Sequence, residues 1–250
     1  MDRRQIDFLT QLQDANSFEA CWSVLQSELK KLGFKHSMYG FCTGTTSPDT
    51  FHAISISNYP ESFMESYEKL GGALYDETVQ WCLTQDQPLC WSNDEALSDL
   101  SSESALIEEL SASYGIRCGY SIPFPSITLG TKAGIGVSAT QVSVNEFDRD
   151  IAPSFDYVKL ICAFFETYAA RFPLYHAATK QKYYPLEKLS QKEIEILRWL
   201  ANGLRVQTIA DQKIYRSTES INKYIASAKT KLKARTQAQL IAKAYILGIV

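Results

Sequence analysis

From Ser217 to Lys233 the chain carries two patterns on one run of residues, and together they leave few folds open. Ser217 is a good helix N-cap, its hydroxyl placed to accept from one of the free N–H groups that begin a helix. Behind it Ile221, Ile225, Ala228 and Leu232 recur at i, i+4, i+7 and i+11, an apolar stripe of helical period. The opposite face, with Asn222, Lys223, Ser227, Lys229, Thr230, Lys231 and Lys233, is polar and increasingly cationic. A helix buried on one side and basic on the other has the profile of one that lies in a DNA groove. A solvated face on an ordinary four-helix bundle has the same periodicity, so the neighbouring residues decide.

Ser190 caps a preceding helix, with Glu193 three residues on completing a capping box. Ile194, Leu197 and Leu200, with Ile196 and Trp199 alongside, give that helix a wide apolar face, and Gly203 is placed to end it. A short helix from Val206 to about Gln212 turns Ile209 and Ala210 inward, and a last helix, Thr236 to Leu247, carries Leu240, Ile241, Ala244 and Tyr245 on one side. Leu189–Ser190, Glu193, Glu195–Ile196–Leu197, Trp199, Gly203, Ile209–Ala210, Ser217, Ile221, Lys231–Leu232, Gln239 and Leu247–Gly248 thus stand at spacings that resemble the DNA-binding domain of LuxR-type transcription regulators. One stretch departs: Asp211 to Arg216 is a residue longer than that family's usual turn. The resemblance implies double-stranded DNA as partner, a homodimer and a partly palindromic operator. Ser217 and Thr218 would open the recognition helix, Glu219, Asn222, Lys223 and Ala226 would lie nearest base edges, and Lys229, Lys231 and Lys233 nearer phosphates.

Charge divides along the same line. Residues 181–250 hold 13 basic and 5 acidic side chains, a balance of +8, which leaves 12 against 23, or −11, for the first 180. An acidic body with a basic tail domain fits a chain whose small domain meets a polyanion. Six cysteines and three histidines show no metal-ligand spacing, so no zinc and no cofactor are expected, and the thiols read as reduced. The first residues lack the apolar run of a signal peptide and no apolar stretch approaches ~18 residues, which predicts a cytoplasmic protein without a membrane partner. No G-x-S-x-G, H-E-x-x-H or P-loop supports an enzyme. A protein-interaction module whose basic helix grips an acidic partner is the remaining alternative, separable by sequence-selective binding of duplex DNA.

In chain order, a helix from Ser17 or Asn16 to Leu32 is followed by strands Ser37–Thr43 and Phe51–Ser57, then a helix opened by Pro60 and broken at Gly71–Gly72. A helix after Asp76, a short strand Leu89–Trp91, a helix Ser102–Tyr114, strands Cys118–Phe124 and Ala133–Val142, and one long helix to about Tyr168 complete the body. The expected fold is an α+β N-terminal domain, an α-β-α sandwich on an antiparallel sheet, joined to an all-α four-helix helix-turn-helix domain. The expected division is a sensor domain at 1–171, a linker at 172–188 with Pro173 and Pro185, and the DNA-binding domain at 189–250.

Between Tyr59 and Gly119 the chain also resembles the ligand-binding domain of the LuxR-type family, whose members bind acyl-homoserine lactones. Phe63, Tyr67, Asp76, Glu77, Trp91 and Gly119 match its spacing, and four of these six match in residue type. The resemblance implies a small-molecule autoinducer, an acyl-homoserine lactone or an analogue, as the ligand. Asp76 would accept an amide N–H, Tyr67 would donate to an amide carbonyl, Trp91 would form an aromatic wall, and Gly119 would allow close backbone approach. Asp76 is an equally good N-cap for the helix that follows it, and Phe63 and Trp91 taken singly read as core aromatics. Cys82, Cys90 and Cys118 read as small apolar fillers. Phe63 stands where the family has a Trp that donates to the lactone carbonyl. A carbonyl left without that donor costs roughly 1–3 kcal/mol, about ten- to hundredfold in affinity. The substitution therefore points to a compensating donor or to a ligand of altered head group, including the case of a regulator that answers to no lactone. Glu77, in place of the family's Pro, reads as a solvent-facing residue in a helix first turn, where the dipole favours it.

Overall fold

The computed structural model describes residues 2–43, 52–92, 100–124, 131–173, 187–214 and 217–250. Two compact units emerge, Met1–Arg171 and Phe172–Val250. Most of the expected linker, residues 174–186, lies outside the described residues, as do Phe51 and the end of the DNA-binding turn, Tyr215–Arg216.

The first unit begins with α1 (Arg3–Asp14), a helix the sequence reading did not include. It is polar, and only Phe8 and Leu12 are buried, so its periodic signal is weak; a capping box between Asp2 and Gln5 starts it. Ser17 caps α2 (Phe18–Lys31) through the N–H of Ala20, and Gly33, at φ 95°, closes the turn beyond it. Strands β1 (His36–Thr43), β2 (His52–Ser57), β3 (Leu89–Cys90), β4 (Ile116–Phe124) and β5 (Thr131–Thr140) form one sheet in the order β2-β1-β5-β4-β3, every pair antiparallel. Between β2 and β4 the described residues include the α-helices α3 (Glu61–Lys69), α4 (Glu77–Thr84) and α5 (Ser102–Ser113).

The expected single helix after Val142 is instead broken. Ser143 caps the one-turn α6 (Val144–Glu146), a π-helical stretch (Phe147–Ile151) and a 3-10 turn (Ala152–Ser154) follow, and α7 (Phe155–Ala169) then runs regularly. Pro153 is the reason, since it lacks the N–H a continuous helix needs and its ring crowds the carbonyl four residues back.

Strand alternation gives the sheet two unlike faces. Register sets Tyr39 opposite both Ile56 and Ile135, and Ile135 opposite Ile122, so large side chains share one face. There Phe18 and Phe165 contact the Tyr39 ring, with centroids 5.9 and 5.4 Å away, so α2 and α7 cover this side. The other face is built of small residues: Gly40 pairs with Gly134, Ser121 with Gly136, and Gly119 with Ser138. Helix α4 lies on this side, where a Cβ added at Gly134 would come 2.9 Å from the Cys82 sulfur.

The second unit contains α8 (Gln191–Ala201), the short α9 (Val206–Ile209), α10 (Thr218–Lys231) and α11 (Gln237–Ile246). Ile196, Leu197, Ile209, Ile221, Leu232 and Leu240 are its core. A π-helical turn, Ala210–Ile214, follows α9. One extra residue in a helical turn is absorbed in just this way, and the stretch coincides with the residue by which the sequence exceeds the family's turn. On α11 the expected apolar face is revised, because Tyr245 is 61% exposed whereas Lys243 is buried.

Candidate functional site

In the first unit the small-residue face of the sheet carries the predicted pocket residues. Pro60 fixes the start of α3, and Phe63 and Tyr67, one turn apart, stack in series with Tyr59 and His36. Successive ring centroids lie 5.2, 5.1 and 5.7 Å apart, and Tyr114 meets Phe63 edge-on at 5.3 Å. All three α3-side rings, Tyr59, Phe63 and Tyr67, are buried.

Polar atoms along this stack are already paired. Tyr59 donates its hydroxyl to Ser138 Oγ at 3.0 Å, and Tyr67 donates to Asp76 Oδ2 at 2.8 Å. The other Asp76 oxygen caps α4, accepting from Thr78 N at 2.9 Å, Thr78 Oγ1 at 2.7 Å and Val79 N at 3.4 Å. Asp76 is thus the N-cap of α4, as one of the two readings had it, and its other oxygen is held by Tyr67. Burial pushes the Tyr59 phenol well up, with the Ser138 hydroxyl opposing. Burial raises Tyr67 too, and the Asp76 carboxylate adds to it, so both phenols remain donors at neutral pH.

Trp91 follows β3 and donates its indole N–H to Ser121 Oγ at 3.2 Å. Gly119 is needed for that placement: a Cβ there would sit 2.7 Å from the Trp91 ring and 2.2 Å from Val137 O. At Gly119 the close approach is made by Trp91 and a neighbouring strand. Glu77 also differs from expectation, since it accepts from Ser104 Oγ of α5 at 2.9 Å instead of pointing to solvent. Glu108 of α5 faces the same acidic corner; burial, then Asp76 and Glu77, raise its carboxyl above the ordinary range.

Ser121 and Ser138 were missed by the sequence reading. Their signal lay in Cys118–Phe124 and Ala133–Val137, where Gly or Ser alternates with larger residues at the period of a strand.

In the second unit Ser217 caps α10 through Ser220 N at 3.2 Å, and Thr218 is half-buried behind it. Glu219, Asn222, Lys223, Ala226 and Thr230 are exposed and form one helical stripe; Thr230 had not been singled out as a contact. Glu219 and Lys223 pair at 2.8 Å while staying 76% and 77% exposed. Lys229 is half-buried and Lys233 exposed.

Lys231 does not share that surface. Its ammonium lies 2.8 and 3.0 Å from the two oxygens of Glu193, which is almost fully buried at the start of α8. Ser227 donates to the same carboxylate at 2.6 Å. Burial alone would raise Glu193, but the hydrogen bonds from Lys231, Ser227 and Ser190 outweigh it and hold the carboxyl below its ordinary range. Lys231 thus fastens α10 to α8, and its predicted phosphate role is withdrawn. Lys243 of α11 was likewise unforeseen. It donates to Leu232 O and Lys233 O at 3.1 and 2.8 Å, closing the C-terminal end of α10, and burial together with Lys233 lowers it to about 8.

No group of His, Cys, Asp and Glu among the described residues is arranged to hold a metal ion. Nor is any helix there long and apolar enough to cross a membrane.

Comparison with known proteins places both units. Residues 17–160 match the autoinducer binding domain model, and residues 187–244 match that of the bacterial regulatory proteins, luxR family. The transcriptional activator protein AnoR of Acinetobacter nosocomialis is 25% identical over the whole of both chains. VanR of Vibrio anguillarum is 23% identical over 95% of this chain and 94% of its own. Among solved structures, Escherichia coli SdiA superposes with a TM-score of 0.53 at 19% identity, covering 98% of this chain and 97% of SdiA. A complex of SdiA with octanoyl-rac-glycerol gives 0.53 at 18% identity, covering 97% and 93%.

Proposed function

Since this chain belongs to the LuxR family of quorum-sensing transcription regulators, with an autoinducer-binding domain ahead of the helix-turn-helix, we propose that its ligand is a small amphiphile held over the Gly/Ser face of the sheet. The observation that carries the reading is a set of three polar pairs beside an aromatic stack, the buried Tyr59–Ser138 and Tyr67–Asp76 and the part-buried Trp91–Ser121. An acyl chain gains from contact with Phe63 and Trp91, while hydroxyl and carboxylate groups orient a polar head.

The head group need not be a lactone. Phe63 offers no donor, and the hydrogen-bonding groups nearest its stack are phenols, serines and Asp76. That set suits a head bearing hydroxyl groups, which both donate and accept, as well as an acyl-homoserine lactone amide. SdiA, of the same fold, has been crystallised with octanoyl-rac-glycerol. Mass spectrometry of the small molecule that copurifies with the protein from its native cells tests the altered head group. An acylated polyol is expected, and recovery of an intact acyl-homoserine lactone would overturn it.

For DNA, the proposed reader is the exposed stripe of α10, with Lys229 and Lys233 toward phosphates. The protein acts as a homodimer in the cytoplasm, so that two recognition helices meet a partly palindromic operator. Retention of a promoter fragment over random duplex by the purified protein, measured at physiological salt, tests this; equal retention would sink it.

A further inference from the structure

The exposed stripe of α10 carries one feature that phosphate binding does not require. Glu219, in the first turn, is an anion on a surface meant for a polyanion, and it holds Lys223 at 2.8 Å, one turn further along. Neither partner is buried, and neither bonds to a core residue, so the pair has no packing role in the unit. An exposed pair of this spacing is worth only a few tenths of a kcal/mol to a helix, so stability does not account for it either.

We propose that Glu219 and Lys223 read a single C·G base pair as a unit, an inference that rests on α10 being the element that enters the major groove. On the major-groove edge, cytosine presents its N4–H2 donor beside the guanine O6 and N7 acceptors. The ion pair presents the complementary order, a carboxylate acceptor beside an ammonium donor. Docked edge to edge, Glu219 accepts from cytosine N4 and Lys223 donates to guanine O6 or N7. The Lys223–Glu219 contact and the base pair's own N4–O6 bond remain in place. Donors then occupy two opposite corners of a square and acceptors the other two, so every neighbouring contact is favourable.

The alternatives are disfavoured by the same geometry. Reversal to G·C sets the carboxylate against O6 and the ammonium against N4–H2, and T·A does the same with O4 and N6–H2; A·T keeps the order, but thymine offers Lys223 no N7 and adenine sets its own N7 beside the carboxylate. A phosphate would be repelled by Glu219, which keeps this turn of the helix at the bases. Asn222, beside the pair on the same stripe, suits an adjacent adenine.

The test is a selection of the full-length protein, as purified with whatever it carries, on a pool of duplexes with a randomised core. Wild type should enrich C·G over G·C and T·A at one position of each half-site, on the order of tenfold, with A·T the second choice. Glu219→Gln should lose most of that preference. The exchanged variant, Glu219→Lys with Lys223→Glu, keeps the ion pair in reverse order and should enrich G·C at the same position. If wild type selects a sequence but the exchanged variant selects the same base there, the paired reading fails while DNA recognition stands. If wild type enriches no sequence at all, the DNA reading fails and takes this one with it.

Discussion

Tyr67 donates to Asp76 at 2.8 Å from within a fully buried site, while the second oxygen of Asp76 holds the first turn of α4. One carboxylate thus joins the aromatic stack of α3 to the start of the next helix. A ligand that engages Asp76 or Tyr67 perturbs the cap and the stack together, which gives occupancy a route into the fold of the unit.

Changing both partners should therefore cost less than the sum of changing each. Tyr67→Phe leaves a buried carboxylate oxygen without a donor, and Asp76→Asn can satisfy either the cap or Tyr67 but not the full set. Each is expected to destabilise by roughly 1–3 kcal/mol. Combined in the double variant, they should destabilise by at least 0.5 kcal/mol less than the sum of the two. Thermal denaturation of the three variants measures this, and strictly additive losses would mean that the contact contributes nothing.

Phe63→Trp tests the head-group reading directly. The new indole N–H supplies the donor that the family uses for a lactone carbonyl. Affinity for an acyl-homoserine lactone should rise about tenfold or more relative to wild type, even though the larger ring strains a tight stack by about 1–3 kcal/mol. Titration calorimetry on both proteins decides it, and an unchanged ratio of affinities would refute the missing-donor argument.

Lys229 and Lys231, two residues apart, should behave oppositely. Lys229→Ala is expected to weaken all DNA sequences alike and reduce the salt slope by about 1. Lys231→Ala should leave Glu193 buried without its cation, lowering stability by on the order of 3 kcal/mol. Glu193 is held below the ordinary carboxyl range, so its contribution is present above that range and lost as the pH falls through its folded value. The stability gap between wild type and Lys231→Ala should accordingly close in acid. Denaturation across pH 3–7, with gel shifts at several salt concentrations, separates the two lysines.

Glu166 gives the opposite slope in the first unit. Burial raises its carboxyl, a hydrogen bond from Tyr39 partly offsets this, and Oε2 has no partner. A raised carboxyl contributes stability below the ordinary range that is lost as the pH rises through the folded value. Glu166→Gln cannot ionise, so its melting temperature should gain on wild type as the pH climbs from 4 to 7. A constant difference over that interval would show that the Glu166 carboxyl is not raised in the folded protein.

What could be read from residue order alone was whatever is fixed within a turn or two of chain. The caps at Ser190 and Ser217, the apolar stripe from Ile221 to Leu232, the break at Gly71–Gly72 and the spacing of Phe63, Tyr67 and Asp76 belong to this class. Their partners lie a few residues away, so spacing carries the information. The interruption at Pro153 was also present locally and went unread, and α1 escaped because two buried residues make too faint a period.

Tertiary structure decided which side chains are available for use. Lys231 and Lys229 look alike in the sequence, yet Glu193, 38 residues from Lys231, engages the ammonium of one. Ser138 becomes the partner of Tyr59 only because sheet register and the start of α3 bring the two together across 79 residues. Lys243 turns inward because α10 ends beside it with carbonyls to satisfy. Each depends on a contact whose closure joins distant segments, and such contacts are set by register and burial, which a local period does not encode.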